Sequence, residues 1–264
     1  MSSENQAGSR TSPEATARVL LLAGTAEARA LSLAVRGVEL VTSLAGVTED
    51  PARYGGTVRR GGFGGVAGLA RYLQTAGIAA VVDATHPFAA QMTAHAVAAC
   101  GLAHVPLLRL ERPAWVAGPQ DDWHAFDSVA AAVAALPAGA VGFVAAGRSA
   151  SALEPGPSAR LVLRMIEAPG PLAPEVQVIR ARPPFSVEDE VALFEARGIT
   201  HLLCKNAGGG PGRTKLDAAR RLGLPVHMVA RPRAPECTQV ETVAAARAWL
   251  DRVAKPTGDA ANSP

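Results

Sequence analysis

Apolar runs of strand length alternate along this chain with segments of helical periodicity, and this alternation constrains the fold more than any other feature. In the first half the strand-like runs are RVLLLAG, VELVTSL, IAAVVDAT and VPLLRL. The segments of helical spacing between them are TAEARALSLAVR, VAGLARYLQTAG and PFAAQMTAHAVAACG. Strands that alternate with helices form βαβ units, whose strands are parallel and whose helices cover both faces of the sheet. We therefore predict an α/β fold of three layers with mainly parallel sheets.

The same rhythm restarts near residue 138, after the segment DSVAAAVAAL. The runs AVGFVAAG, RLVLRMI and VQVIRA open a second series of strands and helices. We predict two domains, at residues 18–137 and 138–253, with a ligand-binding cleft between them. The polar segments 1–17 and 254–264 are predicted to be a disordered leader and a flexible tail.

The two halves also contain similar segments. The aligned positions are Gly77 with Gly198, Asp83-Ala84-Thr85 with Cys204-Lys205-Asn206, Gly101 with Gly223, and Arg109 with Arg231. This correspondence indicates an internal repeat of one α/β unit. A glycine followed by a strand and a turn is also common in unrelated α/β proteins, so both interpretations stay open.

Composition and charge exclude several classes of function. Of the 264 residues, 26 are Lys or Arg and 23 are Asp or Glu, which gives a formal net charge of +3 that favours an acidic small substrate. The basic residues are scattered, so the sequence lacks the basic run of a nucleic-acid-binding arm. No apolar run reaches the roughly 18 residues of a membrane span. We expect no nucleic-acid or membrane partner, and the sequence leaves the oligomeric state undetermined.

The cysteines indicate a cellular compartment. Cys100, Cys204 and Cys237 are odd in number and lack C-x-x-C spacing. Neither a disulfide framework nor a structural zinc site fits this pattern, and we predict no metal ion. Because the polar leader also lacks the apolar core of a signal peptide, we predict a cytoplasmic protein.

The turn after the first strand has some features of a phosphate-binding loop. Dinucleotide-binding proteins carry G-x-G-x-x-G at this point, whereas this chain has the single glycine Gly24 in AGTAEAR. Gly24 would let the backbone approach a pyrophosphate, and Thr25 offers a hydroxyl and an N-cap for the helix. Glu27 and Arg29 then either contact the cofactor or form an ordinary solvated first turn.

The end of the second strand, VTSLAGVT, carries hydroxyl groups where a protein that binds NAD usually has a carboxylate for the ribose. Ser43 and Thr48 could donate hydrogen bonds to a 2′-phosphate, and Arg53 could approach it from the following loop. The loop RRGGFGG (residues 59–65) leads into a helix, and its glycines fit either close backbone contact with a cofactor or a simple structural turn. We predict NADPH as the cofactor.

The stretch DATHPF places a carboxylate, a hydroxyl and an imidazole at the carboxyl end of a buried strand. Ligands of open α/β sheets bind at this edge. Pro87 suits the first position of the next helix, because its missing N–H would be unpaired there. Asp83, Thr85 and His86 are therefore candidate catalytic residues, and a helix cap formed by Asp-x-x-His is the alternative.

Several motifs together resemble one known family. They occur in order over roughly residues 18–250 and are LAGTAEARAL, TSLAG, GGFGG, VVDATHPFAAQMTAHA, LRLERPAW, AAGR and CKNAGG. The sequence is similar to the precorrin-6A reductases of cobalamin (vitamin B12) biosynthesis, including their cobalt-precorrin counterparts. The resemblance implies two Rossmann-like domains, a reduced nicotinamide cofactor and hydride transfer to a ring carbon of a tetrapyrrole macrocycle.

The resemblance and the motifs together indicate three groups of site residues. Asp83, Thr85 and His86 would line the nicotinamide and the macrocycle, with a proton-donor role for His86 as an alternative. The residues expected to hold the cofactor are Gly24, Thr25, Ala26, Glu27, Arg29, Ser43, Leu44, Ala45, Thr48, Gly62, Phe63, Gly64, Ala84 and Pro87. The residues expected to bind the carboxylates of the tetrapyrrole are Arg109, Arg112, Arg148, Lys205, Asn206 and Arg231. Each charged residue of this last group, taken alone, could also be an ordinary surface charge.

Of three alternative functions, the sequence excludes one and leaves two open. A short-chain dehydrogenase needs Tyr-x-x-x-Lys, but Tyr54 and Tyr72 are followed four residues later by Val58 and Ala76, so that class is excluded. An NADH-dependent cobalt-precorrin-6A reductase and a non-catalytic nucleotide-sensing domain stay open as alternatives.

Overall fold

The computed structural model of the protein describes residues 16–45, 53–147, 159–165, 173–210 and 212–253. The predicted tail lies outside these residues, as does all of the predicted leader except residues 16 and 17. Among the described helices, none combines the length and the apolar content that a membrane crossing requires.

The chain forms two compact units, each built from separate stretches of sequence. Unit 1 comprises Met1–Thr85, Gln91–Glu111 and Pro235–Pro264. Unit 2 comprises His86–Ala90 and Arg112–Ala234. Each unit contains one six-stranded sheet with helices packed on both faces. This architecture confirms the predicted α/β class with two Rossmann-like units.

The sheet of unit 1 has the strand order β12-β5-β4-β1-β2-β3, and all neighbouring strands are parallel. Its strands are β1 (Arg18–Leu22), β2 (Glu39–Leu44), β3 (Thr57–Arg60), β4 (Ile78–Asp83), β5 (Leu107–Leu110) and β12 (Gln239–Val240). Its helices are α1 (Ala26–Ala34), α2 (Gly65–Thr75), α3 (Ala90–Ala103) and α7 (Val243–Val253). Because successive residues of a strand point to opposite faces, Val19 and Leu21 pack with α1 and α7, whereas Leu20 and Leu22 pack with α2 and α3.

The sheet of unit 2 has the strand order β6-β11-β10-β7-β8-β9 and is also parallel throughout. Its strands are β6 (Trp123–Phe126), β7 (Val141–Ala145), β8 (Arg160–Met165), β9 (Val176–Arg180), β10 (His201–Lys205) and β11 (Val226–Val229). Its helices are α4 (Val129–Ala134), α5 (Val187–Arg197) and α6 (Thr214–Leu222). Val141 and Phe143 pack with α5 and α6, whereas Val144 packs with α4 on the other face.

The division between the units differs from the boundary predicted at residue 138. β6 lies before that boundary but pairs with β11 of unit 2, from Trp123↔Val226 to Phe126↔Val229. β12 lies in the second half but pairs with β5 of unit 1. These edge strands have only four and two residues. Their periodicity is too short to show which sheet they join, so only the pairing itself reveals it.

Five strands of each sheet follow the same order, β5-β4-β1-β2-β3 in unit 1 and β11-β10-β7-β8-β9 in unit 2, while the edge strand is the last of unit 1 (β12) and the first of unit 2 (β6). Gly77 and Gly198, which both have φ 61°, precede β4 and β10, and matching these glycines relates the hydrogen-bonded rows of the two units. The equivalent rows are Leu22↔Asp83↔Arg109 in unit 1 and Ala145↔Cys204↔Met228 in unit 2. The predicted equivalence of Asp83 with Cys204 agrees with these rows. The counterpart of Arg109, however, is Met228 and not Arg231 as the alignment predicted.

The error in the alignment of Arg109 has a simple cause at the ends of two helices. α6 ends at Gly223, which has the left-handed backbone conformation with φ 65°. α3 ends just before His104, which has the same conformation with φ 55° although it is not glycine. Because glycine is the usual residue at such a helix end, the alignment matched Gly223 with Gly101, which lies inside α3.

Three histidines lie close together in unit 2. The ring centroids of His201 and His227 are 5.4 Å apart, and those of His124 and His227 are 6.0 Å apart. His124 Nε2 lies 2.9 Å from Asp122 Oδ1, and His227 Nδ1 lies 2.7 Å from the carbonyl oxygen of Ala132. Burial, followed by the positive charges that His227 and His124 can carry, lowers the pKa of His201, while Asp122 acts in the opposite direction.

We expect acid to destabilise the protein through this cluster. The pKa of His201 is lower in the folded state than in the unfolded chain, where a histidine has a pKa of about 6.5. Below that pH the unfolded chain therefore binds more protons at His201 than the folded protein does. This contribution to stability is present above that pH and is lost as the pH falls through the window between the unfolded and folded pKa values. Urea unfolding at several pH values should show a steeper loss in the wild type than in His201→Gln, and identical slopes would contradict the prediction.

Candidate functional site

In the turn between β1 and α1, Gly24 has free space around it and Thr25 is hydrogen-bonded to the sheet. Gly24 has φ 146°, and a Cβ added there would meet nothing within 4 Å. Thr25 is the N-cap of α1, as predicted, and its Oγ1 accepts a hydrogen bond from the N–H of Ala28 (3.1 Å). The same hydroxyl donates to the carbonyl oxygen of Ala84 (2.9 Å) at the end of β4. The turn therefore presents an exposed helix N-terminus beside a glycine, an arrangement that suits a phosphate group.

Arg29 is used to anchor a loop. Its Nε donates to the carbonyl oxygen of Arg53 (3.0 Å), which lies in the segment between β2 and β3. This hydrogen bond holds that segment against α1. Glu27 is partly buried in the first turn of the same helix. Thr48 lies outside the described residues.

A guanidinium group that was not among the predicted site residues lies at the ends of β2 and β3. Arg59 Nη1 donates to Ser43 Oγ (3.2 Å) and to the carbonyl oxygen of Gly61 (2.7 Å), and Nη2 donates to the carbonyl oxygen of Gly62 (2.8 Å). Its Cζ lies 3.7 Å from the centroid of the Phe63 ring. Sequence reasoning treated this residue as part of a glycine-rich loop, whereas it belongs to β3, where it pairs directly with Ser43.

The N-terminus of α2 follows this guanidinium. Its N-cap, Gly64, has φ 81°, and no side chain caps the helix at this residue. Gly62 and Gly64 are exposed, while Phe63 between them packs into the core beneath α2. The carboxyl edge of the unit 1 sheet thus brings together predicted cofactor residues from four strand ends: Gly24, Thr25, Ala26, Ser43, Leu44, Ala45, Gly62, Phe63, Gly64 and Ala84.

Asp83, the last residue of β4, is completely buried. Its Oδ1 accepts hydrogen bonds from the backbone N–H (3.0 Å) and the hydroxyl (2.7 Å) of Thr85. Its Oδ2 accepts from the hydroxyl of Thr93 (2.7 Å) and from Arg109 Nη1 (2.6 Å). Arg109 is 2% exposed and also donates from Nε to Glu111 (2.8 Å).

This buried network bears on two of the predicted roles. A catalytic residue must touch the substrate or the cofactor, and the burial of Asp83 argues against such a contact. The guanidinium of Arg109 is bound between two carboxylates inside unit 1, which argues against the predicted contact with a substrate carboxylate. Thr85 is also buried and is held by Asp83, so of the three predicted catalytic residues His86 is the most accessible.

His86 lies in a turn and not at the start of a helix. Its Nδ1 accepts a hydrogen bond from the N–H of Phe88 (3.2 Å), and its carbonyl oxygen accepts from the N–H of Ala89 (2.7 Å). α3 begins only at Ala90, so the prediction that Pro87 is the first helical residue is wrong. With Nδ1 acting as an acceptor, the neutral imidazole carries its proton on Nε2.

In unit 2, the loop after β10 is fixed by the segment 112–115. Asn206 Oδ1 accepts from the N–H of Trp115 (2.8 Å), and Asn206 Nδ2 donates to the carbonyl oxygen of the same residue (2.9 Å). The indole N–H of Trp115 donates to the carbonyl oxygen of Gly209 (2.8 Å). Both polar atoms of Asn206 therefore bind the backbone, which argues against the predicted contact with substrate.

The two arginines predicted for the same purpose also bind backbone carbonyls of unit 2. Arg112 Nε donates to Ala207 (2.7 Å). Arg231 donates to Asn206 (3.0 Å), to Arg112 (3.0 Å) and to Ala207 (3.3 Å). These contacts hold the loop after β10 and leave fewer N–H groups for carboxylates than the sequence predicted. Arg148 lies outside the described residues.

Lys205 is the last residue of β10 and is partly buried. Its Nζ lies 5.1 Å from the centroid of the Phe88 ring. Burial lowers the pKa of its ammonium group. Lys205 thus lies at the end of a strand, where the sequence predicted it, and its contact with the substrate stays a prediction.

Comparison with known proteins identifies the family. The family model described as precorrin-6x reductase CbiJ/CobK matches residues 18–251. The chain belongs to this reductase family. It is 45% identical to the precorrin-6A reductase of Rhodobacter capsulatus, covering 91% of this chain and 99% of that protein. It is 44% identical to the precorrin-6A reductase of Rhodococcus erythropolis, covering 88% and 97%. These matches confirm the resemblance predicted from the motifs.

The fold of this family is also represented among solved structures. A structure described as CobK precorrin-6A reductase matches with a TM-score of 0.84 and 44% identity, over 92% of this chain and all of that one. The cobalt-precorrin-6A reductase of Priestia megaterium is a more distant relative at 30% identity, covering 81% of this chain and 91% of that protein.

The loop after β10 generates a test of stability. Gly208 has φ 69°, and a Cβ there would overlap the carbonyl oxygen of Pro113 and crowd Arg231. We expect Gly208→Ala to lower the free energy of unfolding by about 1 to 3 kcal/mol, because the loop must move away from the segment 112–115. Gly210→Ala is the matched control, since a Cβ there meets nothing within 4 Å. Equal urea midpoints for the two variants would contradict the expectation.

Proposed function

We propose that this protein reduces precorrin-6A with NADPH in the biosynthesis of cobalamin. The observation that carries the proposal is the match, over nearly their whole length, to proteins named precorrin-6A reductase. The more distant relatives named cobalt-precorrin-6A reductase share 28–30% identity, which favours the metal-free substrate. The three free cysteines are consistent with a cytoplasmic location.

The carboxyl edge of unit 1 fits a nicotinamide dinucleotide. The positions of Gly24 and Gly64 leave open space where a side chain would otherwise stand, and each lies beside the N-terminus of a helix. Backbone N–H groups at these two turns would hold the pyrophosphate, since helix N-termini attract anions. When bound, the reduced nicotinamide supplies the hydride for the reduction.

Arg59 supports the choice of NADPH. The acceptors described for its guanidinium are the hydroxyl of Ser43 and two carbonyl oxygens, all of them neutral groups, so they orient the guanidinium without neutralising it. Stacking on Phe63 further limits its movement. A fixed cation at the end of β2 suits a 2′-phosphate, and in the sequence no carboxylate follows Ser43 until Glu49.

We expect Arg59→Ala to lower kcat/KM for NADPH by about tenfold to a hundredfold, which corresponds to about 1.5 to 3 kcal/mol for hydrogen bonds to a charged group. The value for NADH should change much less, because NADH lacks the 2′-phosphate. Arg60→Ala is the matched control, since Arg60 is the exposed neighbour on the same strand. An unchanged NADPH-to-NADH ratio in Arg59→Ala would show that another residue sets the preference.

We assign His86 and Lys205 to the binding of the substrate. Positioning and electrostatic support account for most of the protein's contribution to such a reduction. His86 would line the macrocycle, and its role as a proton donor stays a prediction. Lys205 would bind a carboxylate of the tetrapyrrole, where its partial burial strengthens the contact.

We expect Lys205→Met to raise KM for precorrin-6A while leaving the dissociation constant of NADPH unchanged. Loss of one charged contact should weaken substrate binding by about tenfold or more, because hydrogen bonds to charged groups are worth about 1.5 to 3 kcal/mol. Fluorescence titration with NADPH and steady-state kinetics separate the two effects. A comparable loss of NADPH affinity would place Lys205 at the cofactor instead.

An anaerobic assay tests the function itself. Purified protein is mixed with precorrin-6A and NADPH, and the absorbance of the reduced nicotinamide is followed. We expect turnover with the metal-free substrate, slower turnover with NADH, and little with cobalt-precorrin-6A. Faster reaction with the cobalt substrate and NADH would favour the alternative reductase. Binding of NADPH without turnover of either substrate would favour a nucleotide-sensing domain.

A further inference from the structure

At two equivalent positions, the sheet of unit 1 has charged side chains and the sheet of unit 2 has uncharged, sulfur-containing side chains. In unit 1 the row holds Asp83 and Arg109, which form a buried ion pair at 2.6 Å. In unit 2 the row holds Cys204 and Met228, whose sulfur atoms lie 3.9 Å apart. Asp83–Arg109 joins β4 to β5, and Cys204–Met228 joins β10 to β11, the strands at the same places in the two parallel sheets.

This comparison indicates that a parallel sheet of this kind can be built without charge at these positions. Taking two charges out of water carries a desolvation cost that their attraction only partly offsets, and apolar replacements of buried ion pairs are often neutral or stabilising. Unit 2 has such an apolar pair, with Cys204 and Met228 both buried in its core. The ion pair of unit 1 therefore calls for an explanation other than the stability of the sheet.

The Asp83–Arg109 ion pair differs from the Cys204–Met228 pair because it also binds the turn that follows its strand. Asp83 Oδ1 binds both the N–H and the hydroxyl of Thr85, which fixes the chain immediately before His86. At the equivalent place in unit 2 the residue is Asn206, whose side chain binds the backbone of Trp115 instead. Only a carboxylate offers acceptors at both oxygens, so that Oδ1 can fix the turn while Oδ2 binds Arg109.

We propose that Asp83 and Arg109 are positioning residues, which set the backbone of Thr85 and His86 for the reduction and are not required for folding of unit 1. Arg109 holds the carboxylate of Asp83 in one orientation, and Glu111 holds Arg109. A misplacement of about 1 Å at a reacting site can lower a rate about a hundredfold. The inference rests on the proposed function, because it takes this turn to be part of the reductase site.

The chain itself supplies the test variant. The triple substitution Asp83→Cys, Arg109→Met and Glu111→Ala installs the residues found at the equivalent positions of unit 2, where Ala230 corresponds to Glu111. We expect its thermal midpoint and its KM for NADPH to stay close to those of the wild type, while kcat with precorrin-6A falls by at least about tenfold. Hydrogen exchange should show faster exchange at the amides of Thr85 and Phe88, with the core strands still protected.

A second variant tests the proposal with a single substitution. Asp83→Asn keeps the shape of the side chain but removes its charge and one of its acceptors. We expect a lower kcat with an unchanged KM for NADPH, whatever its effect on stability. Wild-type kcat in either variant overturns the proposal. So does a triple variant that is unfolded or strongly destabilised, because the sheet would then need the ion pair.

Failure of this inference can be told apart from failure of the proposed function. If the wild-type protein does not reduce precorrin-6A, the proposed function is wrong. The exchange and stability measurements still decide whether the ion pair holds the turn without supporting the fold. Unchanged exchange at Thr85 and Phe88 in a folded triple variant overturns the positioning role in either case.

Discussion

Parallel pairing of strands is the constraint on which the rest of both units depends. A parallel neighbour is reached only by a connection that crosses a face of the sheet, so helices cover both faces and the turns after the strands collect at one edge. In unit 1 this places Gly24, Ser43 and Arg59 at the same edge, although they come from three separate turns or strands. Exposed helix N-termini meet the same edge, and this is the observation behind the proposal that a phosphate-bearing cofactor binds there.

Arg109, Arg59 and Arg231 differ in the groups that their guanidinium groups bind, and this difference is the basis for proposing a structural role for some and an anion-binding role for Arg59. Arg109 lies between two carboxylates, so its charge is compensated inside the core. Among the residues that the structure describes, the acceptors of Arg59 are neutral, and the proposal is that its charge stays available to an anion. Arg231 also binds carbonyl oxygens, but these contacts organise the loop after β10. Position at a strand end is therefore not enough to assign an arginine to substrate binding.

The two units show how one sheet architecture carries different chemistry. The same row of the sheet holds an ion pair in unit 1 and two sulfur-containing side chains in unit 2. Backbone hydrogen bonds and the packing of alternate side chains determine the sheet in both cases. Side chains at the ends of the central strands can then differ, and the turns that follow them differ with them. In unit 1 the turn is bound to Asp83, and in unit 2 the loop is bound to Trp115.

The sequence by itself determined the fold class, the ends of the long strands, and the family, because periodicity and turn residues are encoded within short windows. It also located the turn at Gly24 and the N-cap at Thr25. Tertiary structure alone decided which residues meet across strands: the pairing of Asp83 with Arg109, the contact of Arg59 with Ser43, and the docking of Trp115 on Asn206. It also decided that the short strands β6 and β12 join the sheets of units 2 and 1. The physical reason is that hydrogen bonding between strands links residues far apart in the chain, and no local pattern records the partner.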